Sequence, residues 1–124
     1  MAEALRVGIA GIGTVGASVV RVVAEKQAEL TRQCGRPITI AAVSARDRNR
    51  DRGIDLSGAK WFDDPVELAA KADIDVFVEL IGGAEGPARA CVKAALEAGR
   101  HVVTANKALL AAHGVSLAEI AEKR

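Results

Sequence analysis

Arg6-Val7-Gly8-Ile9-Ala10-Gly11-Ile12-Gly13-Thr14-Val15-Gly16 decides the fold of this 124-residue chain. Val7–Ala10 is short and apolar, as a buried strand is. Glycines then fall at 11, 13 and 16, and apolar residues at helical spacing follow. A strand, a glycine turn and a helix in that order open a dinucleotide-binding unit. Gly11 allows the tight turn, Gly13 leaves the backbone open to a pyrophosphate, and Gly16 lets the helix pack closely on the strand. The helix start adds N–H groups and a partial positive charge for the phosphates. The glycine spacing alone is weak evidence. Its setting between strand and helix gives it weight.

Composition narrows the class. Half the residues are apolar and the net charge is +1, which fits one soluble domain with a real core and not a nucleic-acid protein. Cys34 and Cys91 both fall in helical stretches, so a reducing compartment is expected and a disulfide framework is not. No Cys/His cluster suggests a metal site. The start, Met1-Ala2-Glu3-Ala4, lacks the regions of a signal peptide, and no apolar run reaches the ~18 residues of a membrane span. These features read as cytoplasmic, with no membrane partner.

Beyond the glycine turn, Val15, Val19, Val22 and Val23 form the expected core stripe of a helix running from Thr14 to about Gln33. Gly35 should cap it and Pro37 forbids continuation. Ile38–Ser44 reads as a doubly covered parallel strand. The polar run Arg46-Asp47-Arg48-Asn49-Arg50-Asp51-Arg52 follows it. In such units an acid at this strand end binds the adenosine ribose 2′-OH, whereas an arginine accommodates a 2′-phosphate. Ser44-Ala45-Arg46, with no acid before Asp47, therefore favours NADP, or tolerance of both NADP and NAD, over strict NAD. Lys60–Phe62 is a short third strand. Asp64 caps a helix from Pro65 to about Ala72, with Glu67 placed for a capping box.

Ile74–Ile81 is the fourth strand, ended by Gly82-Gly83, which would bring backbone close to a ligand or simply make a turn. Glu79 inside this apolar strand needs hydrogen-bond partners, and a structural role is favoured over a site role. A helix from near Glu85 to Ala98 buries Ala88, Cys91, Val92 and Ala95, and Gly99 ends it. His101–Ala105 is the fifth strand. Asn106 caps a helix from Lys107 to about Ala112, Gly114 breaks it, and Ser116…Glu119 is a capping box for a last helix. The expected architecture is α/β, a doubly wound parallel sheet of Rossmann type in the order 3-2-1-4-5. Thr104-Ala105-Asn106-Lys107 then stands at the ligand edge, with Lys107 in a first helical turn that disfavours a cation. A ligand or a catalytic task would explain the lysine, and so would a swing into solvent.

Four segments together resemble the homoserine dehydrogenase family: Val7–Gly16, Ala42–Asp47, Val78–Gly83 and His101–Leu110. The Glu79-Leu80-Ile81-Gly82-Gly83 and Thr104-Ala105-Asn106-Lys107-Ala108 pieces are the more specific. The family interconverts L-aspartate 4-semialdehyde and L-homoserine with NAD(P)H, on the route to threonine, methionine and isoleucine. The resemblance implies a cofactor site of Gly11, Ile12, Gly13, Thr14, Val15 and Gly16, with Thr14 and Val15 holding the pyrophosphate. It adds Ser44 and Arg46 at the adenosine end. Ile81, Gly82, Gly83, Thr104, Asn106 and Lys107 complete the site, and Lys107 is also its catalytic residue.

Family members continue into a sixth strand and a substrate and dimerisation domain, absent from these residues. The expectation is an NAD(P)-binding domain over 1–124 that binds cofactor without turnover. It would leave the fifth strand as an unpaired edge open to homo-oligomer formation. Rival readings are the cofactor domain of an aspartate-type amino-acid dehydrogenase and a non-enzymatic nucleotide-sensing module.

Overall fold

The computed structural model describes residues 3–47 and 52–123. Arg48, Asn49, Arg50 and Asp51 of the polar run lie outside the described residues, as do Met1, Ala2 and Arg124. The elements are β1 (Leu5–Ala10), α1 (Thr14–Glu25), α2 (Gln27–Cys34), β2 (Ile38–Ser44), β3 (Lys60–Trp61), α3 (Pro65–Lys71), β4 (Val76–Glu79), α4 (Pro87–Glu97), β5 (His101–Thr104) and α5 (Lys107–Glu122). All strand pairs are parallel and the order is β3-β2-β1-β4-β5, as expected. Among the described residues β5 pairs with β4 alone.

Alternation along the strands divides the core between two sheet faces. Val7 and Ile9 of β1, with Val43 of β2, pack on Ile12, Ala17 and Val20 under α1. Ala10, Ala42 and Phe77 face Leu68 of α3, Cys91 and Val92 of α4, and Leu109 and Leu117 of α5. Small residues on this second face set the packing distance. A Cβ on Gly8 would lie 2.8 Å from Ile74 Cδ1 and 2.9 Å from Leu68 Cδ2, so α3 sits directly on β1. Arg100 closes the end of α3, its guanidinium donating to the carbonyls of Ala69, Ala70, Ala72 and Ile74. Those of Ala69 and Ala70, in the last turn of α3, are carbonyls a helix end leaves without helical partners.

Several boundaries differ from the expectation. The first helix is two, broken at Lys26, and Gln27 turns its side-chain amide onto β2 there. Its Nε2 donates to Ile38 O (2.8 Å) and its Oε1 accepts from Ile38 N (3.0 Å), so one side chain stands in for a strand neighbour. The core stripe of α1 is Gly16, Ala17 and Val20, while Val15 and Val22 are exposed. The valine spacing chose a face rotated from the one that packs: Gly16 seats the helix against Gly11 O, and the buried valine is Val20, outside the expected stripe. Gly35 ends α2 in a left-handed cap, and Asp64 accepts from Val66 N at the start of α3, both as expected. The paired cores of β3, β4 and β5 are each shorter than read. Gly114 does not break the last helix: α5 is continuous from Lys107 to Glu122. Ser116 is inside it, its hydroxyl donating to His113 O in place of capping. Ala, Leu and Glu around Gly114 carry enough helix propensity to outweigh one glycine.

Candidate functional site

The carboxyl ends of β1, β2 and β4 converge on a cleft of about 340 Å³. Gly11, Ile12 and Gly13 form one wall, Ser44 to Asp47 a second, and Leu80 and Ile81 a third. Arg52, Asp63, Pro65 and Pro87 complete its rim. Gly11 is pinched between neighbours. Its N–H donates to Ser44 O (2.8 Å), its φ is +101°, and a Cβ there would lie 2.7 Å from the Leu80 carbonyl. Only glycine fits both demands. A Cβ on Gly16 would come within 2.2 Å of Gly11 O, which explains the close seat of α1. Gly13 differs: a Cβ there would meet nothing within 4 Å. The fold itself does not require glycine at 13, and the space above it is open to a ligand.

The start of α1 is prepared for an anion. Gly13 is its N-cap with no side-chain hydrogen bond, and the first turn holds no acid. The first intrahelical bond runs from Ala17 N to Gly13 O, so the first-turn N–H groups lack helical partners. These features fit a pyrophosphate. Val15, the second residue of α1, is 60% exposed, an apolar side chain facing outward beside the turn.

Arg46 is exposed at the end of β2 and lines the cleft, and so does Asp47. Arg52 joins them from the far side of the polar run. Its Nε donates to Ile12 O (3.1 Å) and its guanidinium lies 5.5 Å from the Trp61 ring centroid, a cation–π distance. Sequence reasoning read Arg52 only as part of a solvated loop. No local signal gives a contact with Ile12, which is 40 positions away.

The fourth and fifth strands end in a hydrogen-bonded network beside this cleft. Glu79 is fully buried, and its Oε2 accepts from Ile81 N (2.7 Å) and Gly82 N (3.0 Å). Its Oε1 accepts from the Thr104 hydroxyl (2.6 Å). Thr104 Oγ1 accepts in turn from Asn106 N (3.0 Å). Asn106 caps α5 by accepting from Leu109 N and donates from Nδ2 to Gly83 O (2.6 Å). Glu85, in the same loop, meets His113 of α5, and this hydrogen bond holds the Glu85 carboxyl below its ordinary range, with Arg89 helping. Cys91 lies in the core beneath, its thiol pushed up to about 12 by burial, which suits packing and not nucleophilic work.

Of the expected site residues, Gly11, Ile12, Gly13, Ser44, Arg46 and Ile81 line the one cleft. Thr14, Val15 and Gly16 begin α1 at its edge. Gly82, Gly83, Thr104 and Asn106 belong to the neighbouring network, where the Thr104 and Asn106 side chains are spent on internal bonds. Lys107 is exposed at the first position of α5, on the same sheet edge but outside the cleft lining.

Residues 11–124 match the family model described as homoserine dehydrogenase, NAD binding domain. The homoserine dehydrogenase of Neisseria gonorrhoeae is 42% identical over 120 residues, covering 97% of this chain and 27% of that enzyme. The crystal structure of a homoserine dehydrogenase from Thiobacillus denitrificans superposes with a TM-score of 0.87 at 36% identity, over 97% of this chain and 27% of that one. A hyperthermophilic archaeal homoserine dehydrogenase in complex with NADPH shares the fold, with a TM-score of 0.74 at 24% identity over 97% of this chain and 41% of that one. The chain thus spans about a quarter of the length of the curated relatives it matches.

Proposed function

Because the chain belongs to the homoserine dehydrogenase family, as its NAD-binding domain, we propose that residues 1–124 bind NAD(P)H across the sheet edge for the interconversion of L-homoserine and L-aspartate 4-semialdehyde. The observation that carries this reading is the cleft between the glycine turn, the end of β2 and the end of β4. The first-turn N–H groups of Thr14, Val15 and Gly16 take the pyrophosphate, and the open space above Gly13 admits it. Arg46 takes the 2′-phosphate of NADP. Asp47 in the same lining gives NADH an acceptor for its ribose, so both dinucleotides bind and NADPH binds the more tightly.

A bound dinucleotide would supply the hydride-transfer chemistry of this interconversion. The chain's own residues position and handle protons. Lys107, at the start of α5, would hold or deliver the proton at the substrate oxygen. A substrate and dimerisation domain would supply the amino-acid contacts, and residues 1–124 by themselves would bind dinucleotide without turnover. Among the described residues no helix is long and apolar enough to cross a membrane.

Calorimetric titration with NADPH, NADH and ATP tests the reading. NADPH should bind best. Arg46→Ala should weaken NADPH about tenfold, the scale of one lost charge-assisted hydrogen bond, with NADH nearly unchanged. Equal losses for both would show that Arg46 does not read the 2′-phosphate. A preference for ATP would favour a nucleotide-sensing module instead.

A further inference from the structure

Glu79 is an acid at the end of an interior strand, with no exposed surface, and it bonds both to the turn that follows it and to the end of β5. A core hydrophobe at this position would be cheaper, since burying a carboxylate is favourable only when its oxygens are fully served. Here they are served by the N–H groups of Ile81 and Gly82 on one side and the Thr104 hydroxyl on the other. The result is a closed ring. Glu79 holds the β4–α4 turn and Thr104. Thr104 orients Asn106, and Asn106 returns to Gly83 O while capping α5. Gly82 and Gly83 have φ of +90° and +85°, the left-handed geometry by which the chain turns away after the two donors.

Accounting for these groups defines what the turn can bind. The N–H groups of Ile81 and Gly82 are used internally, so neither remains for a phosphate. The Gly83 carbonyl is taken by Asn106 Nδ2, which leaves the carbonyls of Ile81 and Gly82 as acceptors beside the cleft that Ile81 lines. Acceptors suit ribose hydroxyls or a carboxamide NH2. The same ring fixes Asn106, the cap immediately before Lys107.

We propose that Glu79 is the positioning residue for the reactive end of the site. It sets the Ile81 and Gly82 carbonyls as an acceptor surface for the nicotinamide half of the dinucleotide, and through Thr104 and Asn106 it sets the first turn of α5 that carries Lys107. The proposal rests on the dinucleotide reading above and adds a division of labour within it: the adenosine half is bound independently of this ring.

Calorimetry with NADPH and with 2′,5′-ADP, which shares only the adenosine half, separates the two. Glu79→Gln and Thr104→Val should each weaken NADPH about tenfold and change 2′,5′-ADP by less than about twofold, the scale expected for loss of one bond in a charged network. Thr104→Ser, which restores the hydroxyl, should return NADPH affinity toward that of the unsubstituted chain. The valine and serine pair decides the matter even where Glu79→Gln does not fold. Equal weakening of both compounds, or unchanged NADPH binding in Thr104→Val, would overturn the proposal. So would equal affinities of the unsubstituted chain for the two compounds, since the nicotinamide half would then make no contact. Failure of that chain to bind either compound would remove the dinucleotide reading itself.

Discussion

Gly13 and Gly16 belong to one motif, yet their surroundings assign them different tasks. Gly16 is required by the fold, because a methyl there would meet Gly11 O at 2.2 Å. Gly13 is not, because the same methyl would meet nothing. Gly16→Ala should therefore destabilise by about 3 kcal/mol or more, since a backbone oxygen cannot step aside as a side chain does. That would lower Tm by roughly 10 °C or more for a domain of this size. Gly13→Ala should change stability by no more than about 1 kcal/mol, the scale of an N-cap exchange. It should nevertheless weaken NADPH about tenfold or more by filling the space above the turn. Thermal melts and calorimetry on both variants check the contrast. A large loss of Tm in Gly13→Ala would show that residue 13 serves the fold and would remove its argument for ligand binding.

At the scale of elements, α5 shows where local reading and packing diverge. Leu109 and Leu117, two turns apart, are buried, and His113 lies between them with its side chain only 18% exposed. That stripe continues through Gly114, so the helix face and not the glycine decides continuity. A Cβ on Gly114 would have its nearest neighbour, Leu110 Cβ, at 4.0 Å, and the residue does not have positive φ. Gly114→Ala should stabilise the chain by about 0.5–1 kcal/mol, through helix propensity and lost unfolded-state freedom. Urea unfolding measures this. A destabilised Gly114→Ala would mean that the helix breaks there after all. The opposite case is α1 and α2, where helical periodicity runs on but the chain bends at Lys26, because Gln27 pairs its amide with the backbone of Ile38.

For the molecule as a whole, Asp75 ties β1, β4 and the chain before β2 together. Its Oδ2 accepts from Arg6 N (2.9 Å), and the guanidinium groups of Arg6 and Arg36 lie 3.7 Å and 4.0 Å from it. The Arg6 backbone bond foremost, then the charges of Arg6 and Arg36, hold its carboxyl below the ordinary 3.8. A depressed folded value means that the unfolded chain takes up the proton first as pH falls. The stabilisation is complete above the ordinary carboxylate value and is lost as the pH drops through the depressed one. Urea unfolding from about pH 6 to pH 3 should therefore show a steeper acid loss for the unsubstituted chain than for Asp75→Asn, with the two converging at the acid end. Parallel curves would show that Asp75 is not linked to folding.

The strand order was legible because β1, β2 and β4 are short, largely apolar runs bounded by glycine, proline or a turn, and parallel connections of this length allow few arrangements. Half of the cleft was legible too. The glycine turn and the residues ending β2 carry their chemistry within a few neighbouring positions. What the sequence could not determine is which groups are already spoken for. Thr104 and the Gly82-Gly83 turn read as candidates for a ligand, Asn106 as a cap and Glu79 as structural, but spacing alone assigns none of them a partner across the fold. The meeting of β4 and β5 turns them toward one another. Arg52 lies at the cleft beside Ile12 and Trp61, contacts made across the fold. Residue type and spacing set the backbone path, since strand and helix periods are local properties. Hydrogen-bond partnership depends on distance in space, so only the folded sheet decided which donors and acceptors remain for a ligand.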